Sequence, residues 1–280
     1  AIQGTGSTSW TQRILIRPRD GFGTVTMNSV RIFRVYGTTW AGFQGGAIRF
    51  DSCINTNIAR LYVTGGTFWI STTAGEPSLT GVTVAEVVKP DQALGDADTS
   101  DCWPNTASIE SIQFLGCYFA PYWRSTTSSH HSDTIQFEPF NGATVNNALI
   151  KDCVFFGSSN SCIQINALRT ATIDHCYIVS NRYMSNRYPT PANADPPKGW
   201  ALNGGHGSPN LTIQNSAIIG GWTISADSGG TVVNSVTNVT VNSQPSFAGT
   251  YNVYPSLTDN NYNSLTGDTA PLTPEADYSL

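Results

Sequence analysis

The feature that most limits what this chain can fold into is a two-segment repeat. One set of short segments reads LYVTGGTF (61–68), IQFLGCYF (112–119), LIKDCVFF (149–156), TIDHCYIV (172–179) and TIQNSAII (212–219), alike apart from small register adjustments. A second set reads AIRFD (47–51), TIQFE (134–138), CIQIN (162–166), WALN (200–203) and WTIS (222–225), and it alternates with the first. Apolar and polar residues alternate within the segments, the mark of a strand with one face in a core. Cys153 and Cys176 are 23 residues apart, Ile135 and Ile163 are 28 apart, and no helical period lies between them. Strands this short bury a face only by stacking coil on coil, about 4.8 Å per coil, which predicts an all-β parallel solenoid. The solenoid is expected over 1–244, with loops inserted at 71–108, 120–132 and 180–199. The segment 245–280, rich in Pro, Tyr and Asn, is expected to be a C-terminal cap or an oligomerisation segment.

Stacking turns equal positions into ladders. The small column Gly66, Cys117, Cys153, Cys176 and Ser216 predicts an inward ladder at a tight corner, with the cysteines acting as compact buried groups. A Cys153–Cys176 disulfide is the alternative, with reduced thiols preferred. Asn166 and Asn203 close the second set and suit left-handed corners. His175 shares a column with Asp152 and Asn215, again a corner, and Trp200 and Trp222 align with core isoleucines.

Composition agrees with a strand-and-turn chain. Charged residues are 12% of the 280, against about 25% in an ordinary domain, while Thr (33), Ser (28), Gly (26) and Asn (22) abound. The net charge of −5 and the absence of a Lys/Arg cluster argue against a nucleic-acid partner. No apolar run approaches the ~20 residues that span a bilayer, so no membrane insertion is expected. Six cysteines without a CxxC pair give no zinc site. The chain opens at Ala1 and reads as a mature form or an excised piece.

The alternating segments over about 45–245 resemble the right-handed parallel β-helix superfamily, which includes pectate-lyase-like enzymes, polygalacturonases and phage tailspikes. The resemblance implies a right-handed helix, an extracellular, secreted or virion-surface location, a polysaccharide partner and, from the tailspikes, a homotrimer. It implies no required cofactor and leaves calcium open. Of the polygalacturonase motifs, Ser132-Asp133 falls at the first and Gly205-His206-Gly207 matches the third. Asn160-Ser161 stands where paired acids would be, and no RIK-like counterpart is evident.

The most pointed run is His130-His131-Ser132-Asp133-Thr134-Ile135-Gln136, an HxDxxQ pattern entering a strand whose Ile135 and Phe137 face the core. A histidine, a carboxylate and an amide on one edge can supply a base, an orienting anion and a substrate hydrogen bond. A polar turn closing backbone hydrogen bonds is the other reading. His131, Asp133 and His206 are therefore the candidate catalytic residues. Gln136, Asn160, Gln164, Tyr122, Trp123, Arg182, Tyr183 and Arg187 are the candidate substrate-binding residues, the aromatic ones as flat faces for sugar rings. No metal ligands are expected. Glycosidases hold two carboxyl groups about 5–9.5 Å apart, whereas Glu138 lies roughly 16 Å along the strand from Asp133. A second acid must then come from the acidic stretch 71–108, with Glu86, Asp91, Asp96, Asp98 and Asp101, or from another subunit. The expected function is binding and cleavage of a polysaccharide, by hydrolysis or β-elimination. A non-catalytic fibre or adhesin with the solenoid as rigid spacer is the alternative.

Overall fold

Alternating apolar residues do form stacked rungs. The computed structural model describes residues 2–3, 13–90, 92–95, 97–204, 206–225, 227–239 and 247–271. Asp91, Asp96, Gly205 and Tyr278 lie outside them. Three parallel sheets run the length of the molecule. The first holds Val30–Phe33, Ile48–Asp51, Phe68–Ser71, Ser100–Trp103, Asp133–Phe137, Ser161–Gln164, Trp200–Gly204 and Gly221–Ile224 in that order, with Ile2–Gln3 at its start. The other two sheets carry ten strands each, and every coil passes from the second sheet to the third and then to the first. The chain is a right-handed parallel β-helix, with 47% strand and 4% helix. No helix among the described residues is long and apolar enough to cross a membrane.

The interior follows the predicted ladders. Ile135 pairs with Ile163, and Ile163 with Leu202. Phe119 and Phe155 are neighbours in register along the third sheet with ring centroids 5.5 Å apart, and Phe68 of the first sheet reaches Phe119 across the interior at 6.5 Å. One corner repeats a left-handed residue on successive coils: Arg60, Glu86, Asp152, His175, Asn215 and Asn234 have φ between 47° and 54°. Polar side chains offset that strain by bonding up the ladder, Asn215 to Asp174 at 2.8 Å and Asn234 to Asn215 at 2.8 Å. His175 is thus a corner residue, as its column predicts. The next position inward carries Cys117, Cys153, Cys176 and Ser216, and all six cysteines are free and buried.

Several expectations are corrected. Leu61, not Gly66, heads the small column, because Tyr62 pairs with Val88 and Val88 with Tyr118. Asn166 and Asn203 are not left-handed; Asn203 is a strand residue opposite Gln164. Trp222 lies in the core, but Trp200 enters its strand opposite Ser161 and stays half-buried, because Leu202 takes the place opposite Ile163 and Trp222 in turn pairs with Leu202. The stretch 71–108 is not wholly inserted: Leu79–Ala85 and Val88–Lys89 are regular rungs of the second and third sheets. The solenoid also continues past 244, through Phe247–Ala248 and Tyr251–Val253.

The remaining inserted chain, at 90–99, 120–132 and 180–199, lies in connections from the third sheet to the first. All three therefore gather at the entry edge of the first sheet, where Asp133 begins its strand.

Candidate functional site

Asp133 opens the strand Asp133–Phe137 opposite Ser161, and its side chain is wholly buried. A buried carboxylate is costly unless its lone pairs are used. Here Asn160 donates to Oδ1 at 2.9 Å, the Ser161 hydroxyl also donates to Oδ1, and His131 Nδ1 lies 3.1 Å from Oδ2. Burial raises the Asp133 pKa, against the lowering pull of those partners. His131 is raised as well, first by its bond to Asp133, and half of its side chain remains exposed. For this pair the upward shift of the imidazole is the robust direction, because His131 keeps its solvent while gaining an anion. His130 stacks on His131 with centroids 5.6 Å apart and planes 11° apart. Its Nε2 is 3.4 Å from an Asp98 oxygen, and the proximity of that carboxylate raises the His130 pKa.

The acidic stretch, one of the two expected sources of a second acid, brings Asp98 and Asp101 to this edge. Asp98 accepts the Asp133 backbone N–H at 2.6 Å. Asp101, one coil before Gln136 in register, receives the Trp69 indole N–H. Burial, then repulsion from Asp98, pushes the Asp101 pKa well above the carboxylate range. Burial and a neighbouring carboxylate both favour the protonated form of Asp101. With its amide nitrogen toward the acids, Gln136 donates to Asp98 at 2.9 Å and Asp101 at 3.2 Å, and its oxygen then accepts from Gln164 once the Gln164 amide is turned the same way, nitrogen for oxygen. Lys198, from the loop 180–199, donates to Asn160 at 2.9 Å and lies 5.1 Å from the centre of the Trp200 ring. Arg124 ties that loop to its neighbour, donating to the His130 carbonyl and to Asp195.

Of the residues named from sequence, His131, Asp133, Gln136, Asn160 and Gln164 come together here. Trp123 does not: it is 2% exposed, within an apolar cluster outside the third sheet with Phe156, Tyr188 and Met184. Tyr183 packs on the same cluster, and Arg187 pairs with Asp259 at 3.0 Å over the Phe156 ring. Arg182 stays on the surface, donating to the Pro197 carbonyl. Tyr122 is half-buried, its ring 5.7 Å from Lys89 Nζ. The common cause is apolar burial: the loops fold down onto the third sheet rather than standing over the first. His206 is exposed beyond the far end of its strand, its N–H directed at Asn166, well removed from Asp133 at the entry edge.

Sequence reasoning missed Asp101, Asp98, His130, Trp69 and Lys198 as individual site residues. The acidic composition of 71–108 pointed to the first two, but their partner in register is 35 residues away in the case of Asp98 and Asp133. Asp98, His131 and Asp133 also have ligand atoms within 4.8 Å of one another. Two carboxylates and an imidazole are a poor match for calcium, which takes 6–8 oxygens, and these carboxylate oxygens already accept protein hydrogen bonds. The acid–base reading fits the donor set better.

With this geometry in view, the chain is similar to the crystal structure of a pectate lyase, Pel9A. Identity is 14% and the TM-score 0.35, over 95% of this chain and 74% of Pel9A. No family model matches the chain, and no curated protein matches its sequence. The likeness to Pel9A is one of architecture, and the site described above is read from this chain's own residues.

Proposed function

We propose that this β-helix binds a polysaccharide across the outer face of its first sheet and hydrolyses it at the entry edge, outside the cell or on a virion surface. The observation that carries the reading is the gathering of buried Asp98 and Asp101 from one coil beside a buried Asp133 that orients a half-exposed His131 on the next. Ionised Asp101, whose basicity is increased by burial, can take a proton from an attacking water. The His131 imidazolium, held charged by Asp133, can give its proton to the departing glycosidic oxygen. Water's hydroxyl then joins the sugar carbon as the bond to that oxygen breaks, so charge and protons balance. Gln136 and Gln164 present amides to substrate hydroxyls from adjacent rungs.

The test is incubation of the full chain with bacterial and algal polysaccharides, followed by reducing ends and by the ultraviolet absorbance of unsaturated products. New reducing ends without unsaturation are expected. Unsaturated products replace hydrolysis with β-elimination, and no product from any polymer favours the rigid-spacer reading.

A further inference from the structure

The outer row that contains Asp101 continues in one direction through Trp69 to two arginines. Asp101 pairs in register with Trp69, Trp69 with Arg49, and Arg49 with Arg31. At about 4.8 Å per strand, Arg49 lies two rungs, or roughly 10 Å, from Asp101. Arg31 and Arg49 are thus like charges directly across two strands, an arrangement that costs stability unless something neutralises it.

One group in the protein does so in part. Asp51, with a fully buried side chain, accepts Nε of Arg31 and Nε of Arg49, the latter at 2.6 Å. Ser71 takes one further Arg49 N–H at 3.2 Å and donates to Asp51. One carboxylate therefore faces two guanidiniums, which leaves a net positive charge. Each guanidinium carries five N–H donors, and the outer ones have no partner among the described residues. The side chains are 46% and 35% exposed. Each guanidinium is also set over an aromatic ring, Arg31 over Phe33 at 5.0 Å and Arg49 over Trp69 at 5.3 Å. Nearby Arg34 adds nothing free to the patch, since Glu76 pairs with it at 3.0 Å. Two held, solvent-facing forks with surplus charge match a carboxylate or a sulfate ester.

We infer that Arg31 and Arg49 form an anion subsite, so that the polymer proposed above is acidic and places a carboxylate or sulfate two rungs from Asp101. This rests on the polysaccharide reading and narrows its substrate class. The chain's net charge of −5 does not oppose it, because Trp69 separates the cationic end of the row from the carboxylates.

The experiment measures equilibrium binding by the full chain carrying Asp101→Asn, which keeps the polymer intact. The probes are polygalacturonate, dextran sulfate and neutral dextran, with and without Arg31→Gln plus Arg49→Gln. One of the acidic polymers is expected to bind at least about tenfold more tightly than neutral dextran, and which one binds separates carboxylate from sulfate recognition. The double variant is expected to lose that advantage together with most of its salt dependence, because exposed charge pairs are screened within about 10 Å at 0.1 M salt. Equal binding of all three polymers, binding of neither acidic one, or full acidic binding by the double variant overturns the subsite. Should that variant misfold, salt titration of the Asp101→Asn chain decides: acidic-polymer affinity unchanged from about 0.05 to 0.5 M salt overturns it. Cleavage assays are separate, so acidic binding without products would cost the hydrolysis reading and keep the subsite.

Discussion

At the scale of single residues, the protein spends its unusual burial on acids. Asp133 and Asp51 are both wholly enclosed, and each is matched to a half-exposed cationic or basic partner that reaches solvent in its place. Under the proposed hydrolysis, that division of labour would make His131 the group that meets substrate and Asp133 its positioning residue. His131→Ala and Asp101→Asn are expected to lower turnover by ~10²-fold or more, the scale of a lost acid–base group, with unchanged circular dichroism. Asp133→Asn is expected to do something more specific. It removes the anion that raises His131, so the alkaline limb of the rate profile should move to lower pH. A limb that stays in place in Asp133→Asn would exclude His131 as the proton donor. The linked stability has the same sign: because the folded pKa of His131 is raised above the ordinary 6.5, the pair's contribution is complete below that value. It is lost as pH rises through the folded one.

The strand and the ladder explain both the rigidity and its one flaw. Lys89 pairs with Phe119 in a row that elsewhere holds Phe155 and Ile178, so an ammonium group occupies a core rung. It is fully buried, and burial alone pushes its pKa down to about 7. Its Nζ has no hydrogen-bond partner among the described residues. The cost of charging it is fully present below about pH 7 and is relieved as pH rises toward the ordinary 10.5. Lys89→Met keeps the volume and removes the charge. It should stabilise by about 5 kcal/mol at pH 6, an order-of-magnitude figure from the fall of the pKa from 10.5 to about 7, and raise Tm by roughly ten degrees. The gain should shrink steadily toward pH 10 in parallel melts, and a gain independent of pH would show that Lys89 is neutralised by a partner.

At the scale of the whole molecule, the C-terminal segment settles on its own chain. Beyond Val253, Leu257 and Tyr262 bury against the cluster outside the third sheet, Tyr177 donates to Asp259 at 2.8 Å, and Arg187 closes on the same carboxylate. Deleting residues 255–280 is expected to uncover Phe156 and Tyr177, lower Tm by several degrees and increase binding of an apolar dye. Unaltered melting would mean that the segment adds nothing to the solenoid. The homotrimer proposed by resemblance to tailspikes then needs a contact surface elsewhere on the coils. It is checked by light scattering of the full chain, where a mass near the 30.0 kDa of one chain would exclude it.

Much of this was legible in one dimension. Alternation in 134–138 and 162–166 sets Ile135 on Ile163 because a strand has a period of two and stacked coils must bury the same face. Asp152, His175 and Asn215 could be read as a corner because few residues other than glycine accept a positive φ. Asp133, His131, Gln136, Asn160 and Gln164 were within reach because they share one edge on two adjacent coils. The rest depended on the path of the connections between sheets. No local pattern says that Asp98 and Asp101 return beneath Gln136, that Lys198 rather than Arg182 meets Asn160, or that Trp123 turns away to bury on the third sheet. Loop length leaves those choices open, and they are decided by which apolar side chains find cover and which buried charges find partners. Such energies exist only once the coils are stacked.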